Sequence, residues 1–124
     1  VQPAERRFRQ RQPAGRLKLE FCLFNWFGRP KKPQPATVSD FAISGLTMLS
    51  DLRLKPGQRL LLNLASHDHR LQAVPARIIR GDEHTGHYRY AVQFTLGDMP
   101  AGASRAAYSV LHQLEQGLKR PQAA

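Results

Sequence analysis

Four guanidinium groups stand within six residues near the start of the chain, in Arg6-Arg7-Phe8-Arg9-Gln10-Arg11. Each is a permanently charged planar fork that matches a pair of phosphate oxygens or the acceptor edge of a purine, and it also stacks on a ring face. The segment holds one aromatic and is followed by Pro13 and Gly15, so it has too little apolar surface to fold alone. The chemistry this spacing offers is a clamp for an anionic nucleotide. The competing reading is a solvated basic tail.

Other reactive residue types lack the surroundings that reactions need. His67-Asp68-His69 puts two imidazoles at i and i+2, with His84 and His87 in the next connection. There is no cysteine partner and no H-E-x-x-H run, and short polar turns often carry histidine, so no metal is expected. Ser44, Ser50, Ser66 and Asp51 join the histidines as the raw types of a hydrolase triad, but no serine stands in a G-x-S-x-G elbow. Paired-carboxylate chemistry and glycine-rich phosphate loops have no support either. The chain is therefore read as a binding domain and not an enzyme.

The totals agree with a basic binding domain. At 124 residues and 14.0 kDa, 41% hydrophobic, the chain suits one domain with a real core. Nineteen Lys and Arg against nine Asp and Glu give +10, which favours polyanions, nucleotides, acidic partners or an anionic membrane surface. The single cysteine, Cys22, allows no internal disulfide, so the fold needs no oxidising compartment. No apolar run nears the roughly twenty residues of a membrane span and no signal-peptide pattern opens the chain, which makes the cytoplasm the expected location.

The elements that must hold the arm and its ligand follow from hydrophobic period. Leu17, Leu19, Phe21 and Leu23 alternate with Lys18, Glu20 and Cys22 over Arg16 to Asn25, the pattern of a half-buried strand with Cys22 outward. Trp26 to Ala36 combines two aromatics, three cations and three prolines and reads as a loop. Its rings are expected to cover one end of the core, with partner docking the second reading. In Thr37 to Ser50, Phe41 and Ile43 share the inward face and Val38, Asp40, Ala42 and Ser44 the outward one; the parity flips at Ser44-Gly45, which requires a turn or bulge. Leu54-Lys55-Pro56-Gly57-Gln58 suits a type II turn. Strands follow at Leu60 to Leu64, at Val74 to Ile78 with Pro75 marking an edge or bulge, and at Tyr88 to Leu96; Gly81 to Gly86 is read as a connection.

Several short strands without intervening helices predict a small antiparallel barrel. Ala107, Leu111, Leu114 and Leu118 then lie on one stripe of a helix that starts near Pro100 or Ala103 and is ended by Gly117 or Pro121. The expected division is a flexible basic arm at 1–15, a barrel at 16–97, a helix packed on it at 98–120 and a tail at 121–124.

On these residues the chain resembles the PilZ domain family. The pair Arg7-x-x-x-Arg11, a first strand, and then Asp40-x-Ala42-x-x-Gly45 look like its signature, R-x-x-x-R and [D/N]-x-S-x-x-G. The L-K-P-G-Q turn and the Tyr88 to Phe94 strand fall in family order, so the resemblance spans nearly the whole chain. It implies an all-β fold, a six-stranded antiparallel barrel with a C-terminal helix, that binds the bacterial second messenger cyclic di-GMP. It implies ligand contacts from Arg7 and Arg11 to phosphates and guanine, from Asp40 to guanine N–H donors, and from the backbone at Gly45; Arg6 would add charge. Ligand would recruit the arm onto the barrel and so create a patch for a protein effector.

One position departs from the pattern. Ala42 stands where the family has serine, and the lost hydroxyl contact corresponds to roughly 0.5 to 3 kcal/mol, or a few-fold to about a hundredfold in affinity. Ser44, on the same expected face, or a bridging water is the candidate replacement. Two rivals remain at this stage: a PilZ domain that has lost its nucleotide and works through protein contacts, by Trp26, Phe27 or the helix, and a basic barrel for single-stranded nucleic acid.

Overall fold

The computed structural model describes residues 12–13 and 17–119. The strands are β1 (Gln12–Pro13), β2 (Lys18–Cys22), β3 (Gln34–Ala42), β4 (Gly45–Ser50), β5 (Arg59–Ala65), β6 (Arg70–His84) and β7 (His87–Phe94), followed by a helix α1 (Ala101–Lys119). All neighbouring pairs are antiparallel, in the order β3-β2-β5-β6-β7-β4, and β4 pairs back onto β3. Six strands thus close a barrel, which removes the sheet edges that would otherwise expose unpaired backbone. The two-residue β1 lies outside the ring, beside β3.

The barrel fills from the alternation visible in the sequence. Leu17, Leu19 and Phe21, then Leu60, Leu62 and Leu64, then Tyr90, Val92 and Phe94 all point inward and are buried. Phe41 and Phe94 meet inside at 5.9 Å between ring centroids, tilted by 51°. Burial of a whole aliphatic or aromatic side chain stabilises by about 1.5–3 kcal/mol, so this interior dominates the favourable side of folding. The helix closes the barrel through Ala107, Leu111 and Leu114, while Leu118 is only half-buried. Its buried face spans the expected stripe. Gly117 lies within the helix and does not end it.

Two expectations about the strands need correction, and a third holds. The parity of β3 changes before Gly45: an extra residue bulges between Val38 and Asp40, so Val38 and Phe41 both face inward and Val38 is buried, not outward. The expected change at Ser44-Gly45 is present, as a two-residue turn of Ile43 and Ser44 between the paired Ala42 and Gly45. The stretch Gly81 to Gly86 is mostly strand: β6 continues to His84, His84 pairs with His87, and only Thr85-Gly86 turn, with φ of 20° and 88°. Gly81, Asp82 and Glu83 are exposed on both faces, which is why their composition reads as a loop.

The Lys55-Pro56-Gly57-Gln58 turn forms as expected. Gln58 N donates to Lys55 O at 3.1 Å and Gly57 has φ 84°, the left-handed angle of a type II third position. Pro75 pairs with Leu61 but lies past the end of β7, and Thr95 N donates to its carbonyl at 2.8 Å, so its missing N–H interrupts no ladder.

Candidate ligand-binding surface

Asp40 is half-buried on the outward side of β3, one residue past the bulge. Register carries its row across the barrel: Asp40 pairs with Thr47, Thr47 with Ala91, and Ala91 with Arg80. The adjoining row runs from Thr37 through Leu49 and Arg89 to Asp82. Adjacent strands lie about 4.8 Å apart, so these side chains share one patch. Of these, Asp40, Thr47, Ala91, Arg80, Asp82 and Arg89 line a shallow surface depression of about 190 Å3. With two carboxylates and two guanidinium groups in one depression, the acids can receive N–H donors of a base while the arginines oppose an anion.

Ala42 and Gly45 sit at the tip of the same hairpin and both are buried. Gly45 does not have a positive φ; its need for glycine is steric. A Cβ there would overlap the Val92 carbonyl oxygen and come within 3.1 Å of Gln93 Cα, so β4 and β7 could not approach as they do. Ala42, expected on the outward face, is only 1% exposed. Ser44 is exposed, but as a turn residue and not the next position of the strand, and its carbonyl accepts from Phe94 N at 3.0 Å.

Beside this hairpin runs β1. Gln12 pairs with Phe41 and Pro13 with Asp40, so the backbone just after the arginine-rich segment lies along the strand that carries Asp40. Arg6, Arg7 and Arg11 themselves lie outside the described residues, as does the tail at 121–124. At the hairpin's turn α1 supplies Glu115, whose buried carboxylate Oε2 accepts a hydrogen bond from Ile43 N at 3.0 Å.

Several of these residues were invisible to sequence reasoning. Asp82 falls in the expected connection Gly81 to Gly86 and Arg80 just before it, past the expected strand, and Arg89 reaches Asp40's patch only through pairing of strands distant in sequence. Glu115 looked like a surface helix residue.

Other candidates stay apart from this surface. His67, Asp68 and His69 form a tight turn in which Ser66 N donates to His69 O at 2.8 Å and His69 N donates to Ser66 Oγ at 3.1 Å. Cys22 is buried, not outward; desolvation, aided by the charge of Glu20, raises its thiol pKa above the ordinary value, the opposite of activation. Trp26 and Phe27 are 93% and 82% exposed and do not cover the core, contrary to expectation.

The surrounding architecture is shared with solved proteins. The chain superimposes with a TM-score of 0.65 on the PilZ domain of YcgR from Escherichia coli, solved with c-di-GMP, at 16% identity over 93% of this chain and 92% of that one. It matches the Bacillus subtilis inhibitor of motility MotI/DgrA with a TM-score of 0.61 and 16% identity, over 97% of this chain and 55% of that one. The PilZ domain of CeSA from a cellulose-synthesizing bacterium gives a TM-score of 0.58 at 18% identity, over 90% of this chain and 99% of that one. At such identities the likeness establishes the fold. No curated protein sequence matches the chain. The PilZ domain family matches residues 6–108, a stretch that takes in the arginine-rich segment, the whole barrel and the first part of α1. With the barrel, its covering helix and that match in agreement, the chain belongs to the PilZ domain family.

Proposed function

We propose that the chain is a cytoplasmic receptor domain for cyclic di-GMP that signals to a protein effector and performs no chemistry. The observation that carries this reading is the pairing of Gln12 with Phe41 and of Pro13 with Asp40. The segment following R-x-x-x-R therefore runs alongside the strand bearing D-x-x-x-x-G, and one small ligand can touch both.

In this reading Arg7 and Arg11 grip phosphate oxygens and guanine acceptors, and Arg6 adds charge. The Asp40 carboxylate accepts from the adjacent N1–H and N2–H donors of a guanine, as any ionised carboxylate can. Gly45 keeps the hairpin tip thin by allowing β4 and β7 to meet closely. Arg80 and Arg89 offer guanidinium donors in the depression beside Asp40 and Asp82. The Ser44 hydroxyl, exposed in the turn, stands in directly or through a water for the hydroxyl that Ala42 lacks. Ligand holds the arm against β3 and builds the surface the effector reads. The YcgR PilZ domain, of the same fold, was solved with this ligand.

Ala42 favours a second reading, in which nucleotide binding is lost and only protein contacts remain. Calorimetric titration with cyclic di-GMP separates the two. Saturable binding, with proteolytic protection of the arm by ligand, supports the receptor. No heat at millimolar ligand supports the second reading. Salt-sensitive binding to random oligonucleotides without preference for the cyclic dinucleotide supports a nucleic-acid barrel instead.

A further inference from the structure

The Trp26–Phe27 tip is built, not frayed. Asn25 Oδ1 accepts from both Phe27 N and Arg29 N at 2.9 Å, Asn25 N donates to Arg29 O at 2.8 Å, and Gly28 N donates to Asn25 O at 3.0 Å. Gly28 has φ 77°, an angle that glycine adopts without strain. Below the tip Phe24 bridges Pro30 and Lys31 N donates to Leu23 O at 2.6 Å. A hairpin held by this many bonds that still leaves an indole and a phenyl in water presents them to something.

The surroundings say what. Arg29, Lys31 and Lys32 are exposed around the rings, and Arg59 lies 5.4 Å over the Phe24 ring at the base. Between Glu20 and Asp40 there is no acidic residue. The rings sit on a convex tip, not in a groove, so they fit a medium that yields around them. Trp and Phe beside a cationic collar is the composition that seats at the headgroup level of an anionic bilayer, with the rings among the acyl chains and the ammonium and guanidinium groups at the lipid phosphates. The loop leaves the Cys22 end of β2, whereas β1 and Asp40 lie beyond the opposite end of that strand's pairing with β3.

We infer that the Trp26–Phe27 hairpin is an interfacial anchor that docks this domain on an anionic lipid surface. A single anchor of this size binds reversibly, which suits a domain that exchanges between membrane and solution.

Trp26 is the only tryptophan, so its emission reports the tip alone. With vesicles of phosphatidylglycerol and phosphatidylcholine, Trp26 emission shifts to shorter wavelength and is quenched by brominated acyl chains; with phosphatidylcholine alone the shift is small. In co-sedimentation, the double variants Trp26→Ser/Phe27→Ser and Lys31→Glu/Lys32→Glu each lower partitioning at least about tenfold. These changes lie on an exposed tip, and the quenching arm needs no variant. Sedimentation with unshifted, unquenched Trp26 means that net charge alone carries the protein to the vesicles and overturns the inference. An equal shift with uncharged vesicles overturns the charge requirement. A shift with an acidic polypeptide but not with vesicles makes the tip a protein-docking site and overturns it as well.

Discussion

Glu115 on α1 and the backbone N–H of Ile43 in the β3–β4 turn are joined by a buried hydrogen bond of 3.0 Å across 72 residues of sequence. It ties the covering helix to the hairpin that carries Asp40, Ala42 and Gly45. Movements of the helix and of this hairpin are therefore mechanically linked.

Removing the acceptor should cost more than the hydrogen bond itself, because the Ile43 N–H stays buried. Glu115→Ala is expected to destabilise by about 1–3 kcal/mol. Glu115→Gln, which keeps a carbonyl oxygen at the same reach, should recover most of that. Urea unfolding checks both, with a lowered midpoint and unchanged slope as the expected signature.

Two glycines should respond to alanine for different reasons. At Gly45 the new Cβ meets backbone of β7 that cannot swing away, so Gly45→Ala should cost about 1–3 kcal/mol and loosen the β4–β7 pairing. At Gly57 nothing lies within 4 Å and only φ of 84° opposes the change, so Gly57→Ala should cost about 1 kcal/mol. Thermal unfolding of the pair ranks them, and amide exchange localises the first to β4 and β7.

Tyr90 couples the core to the segment after β4. Its hydroxyl accepts from Leu54 N at 2.6 Å and donates to Leu52 O at 2.8 Å. Tyr90→Phe keeps the ring and orphans the buried Leu54 N–H, so a loss of about 1–3 kcal/mol is expected. Tyr88→Phe, at a half-buried ring stacked 6.1 Å from Tyr90, should change stability little by the same denaturation assay.

The barrel was legible because three of its strands carry an unbroken period of two, from Leu17 to Phe21, Leu60 to Leu64 and Tyr90 to Phe94. The bulge at Ser39 was not, since one inserted residue leaves no mark of its own among Val38, Ser39 and Asp40. Val38 was assigned outward for that reason. The β6–β7 ribbon was hidden because both of its faces meet water and no alternation survives at Gly81 to Glu83. Trp26 and Phe27 misled in the other direction: large rings are usually buried, and only the Asn25-centred turn explains how they are held out. The Asp40 to Gly45 motif was readable in the sequence, but Arg80 and Arg89 joined it only through strand pairing.

Restoring the motif hydroxyl tests the one departure from the family pattern. Ala42→Ser should tighten cyclic di-GMP binding by a few-fold to about a hundredfold, read by calorimetry. Because position 42 is buried, a stability loss of about 1 kcal/mol is expected in the absence of ligand. Affinity unchanged within error would show that the missing hydroxyl is immaterial.

The central claim is that the arm and the Asp40 hairpin hold the same guest. Calorimetric titration of cyclic di-GMP into the unmodified chain, Arg11→Ala and Asp40→Ala, with folding checked by circular dichroism, tests it most directly. The account predicts saturable binding to the unmodified chain and a loss of at least about tenfold in each variant. It is contradicted if the unmodified chain gives no binding heat, or if Asp40→Ala binds as the unmodified chain does while Arg11→Ala does not.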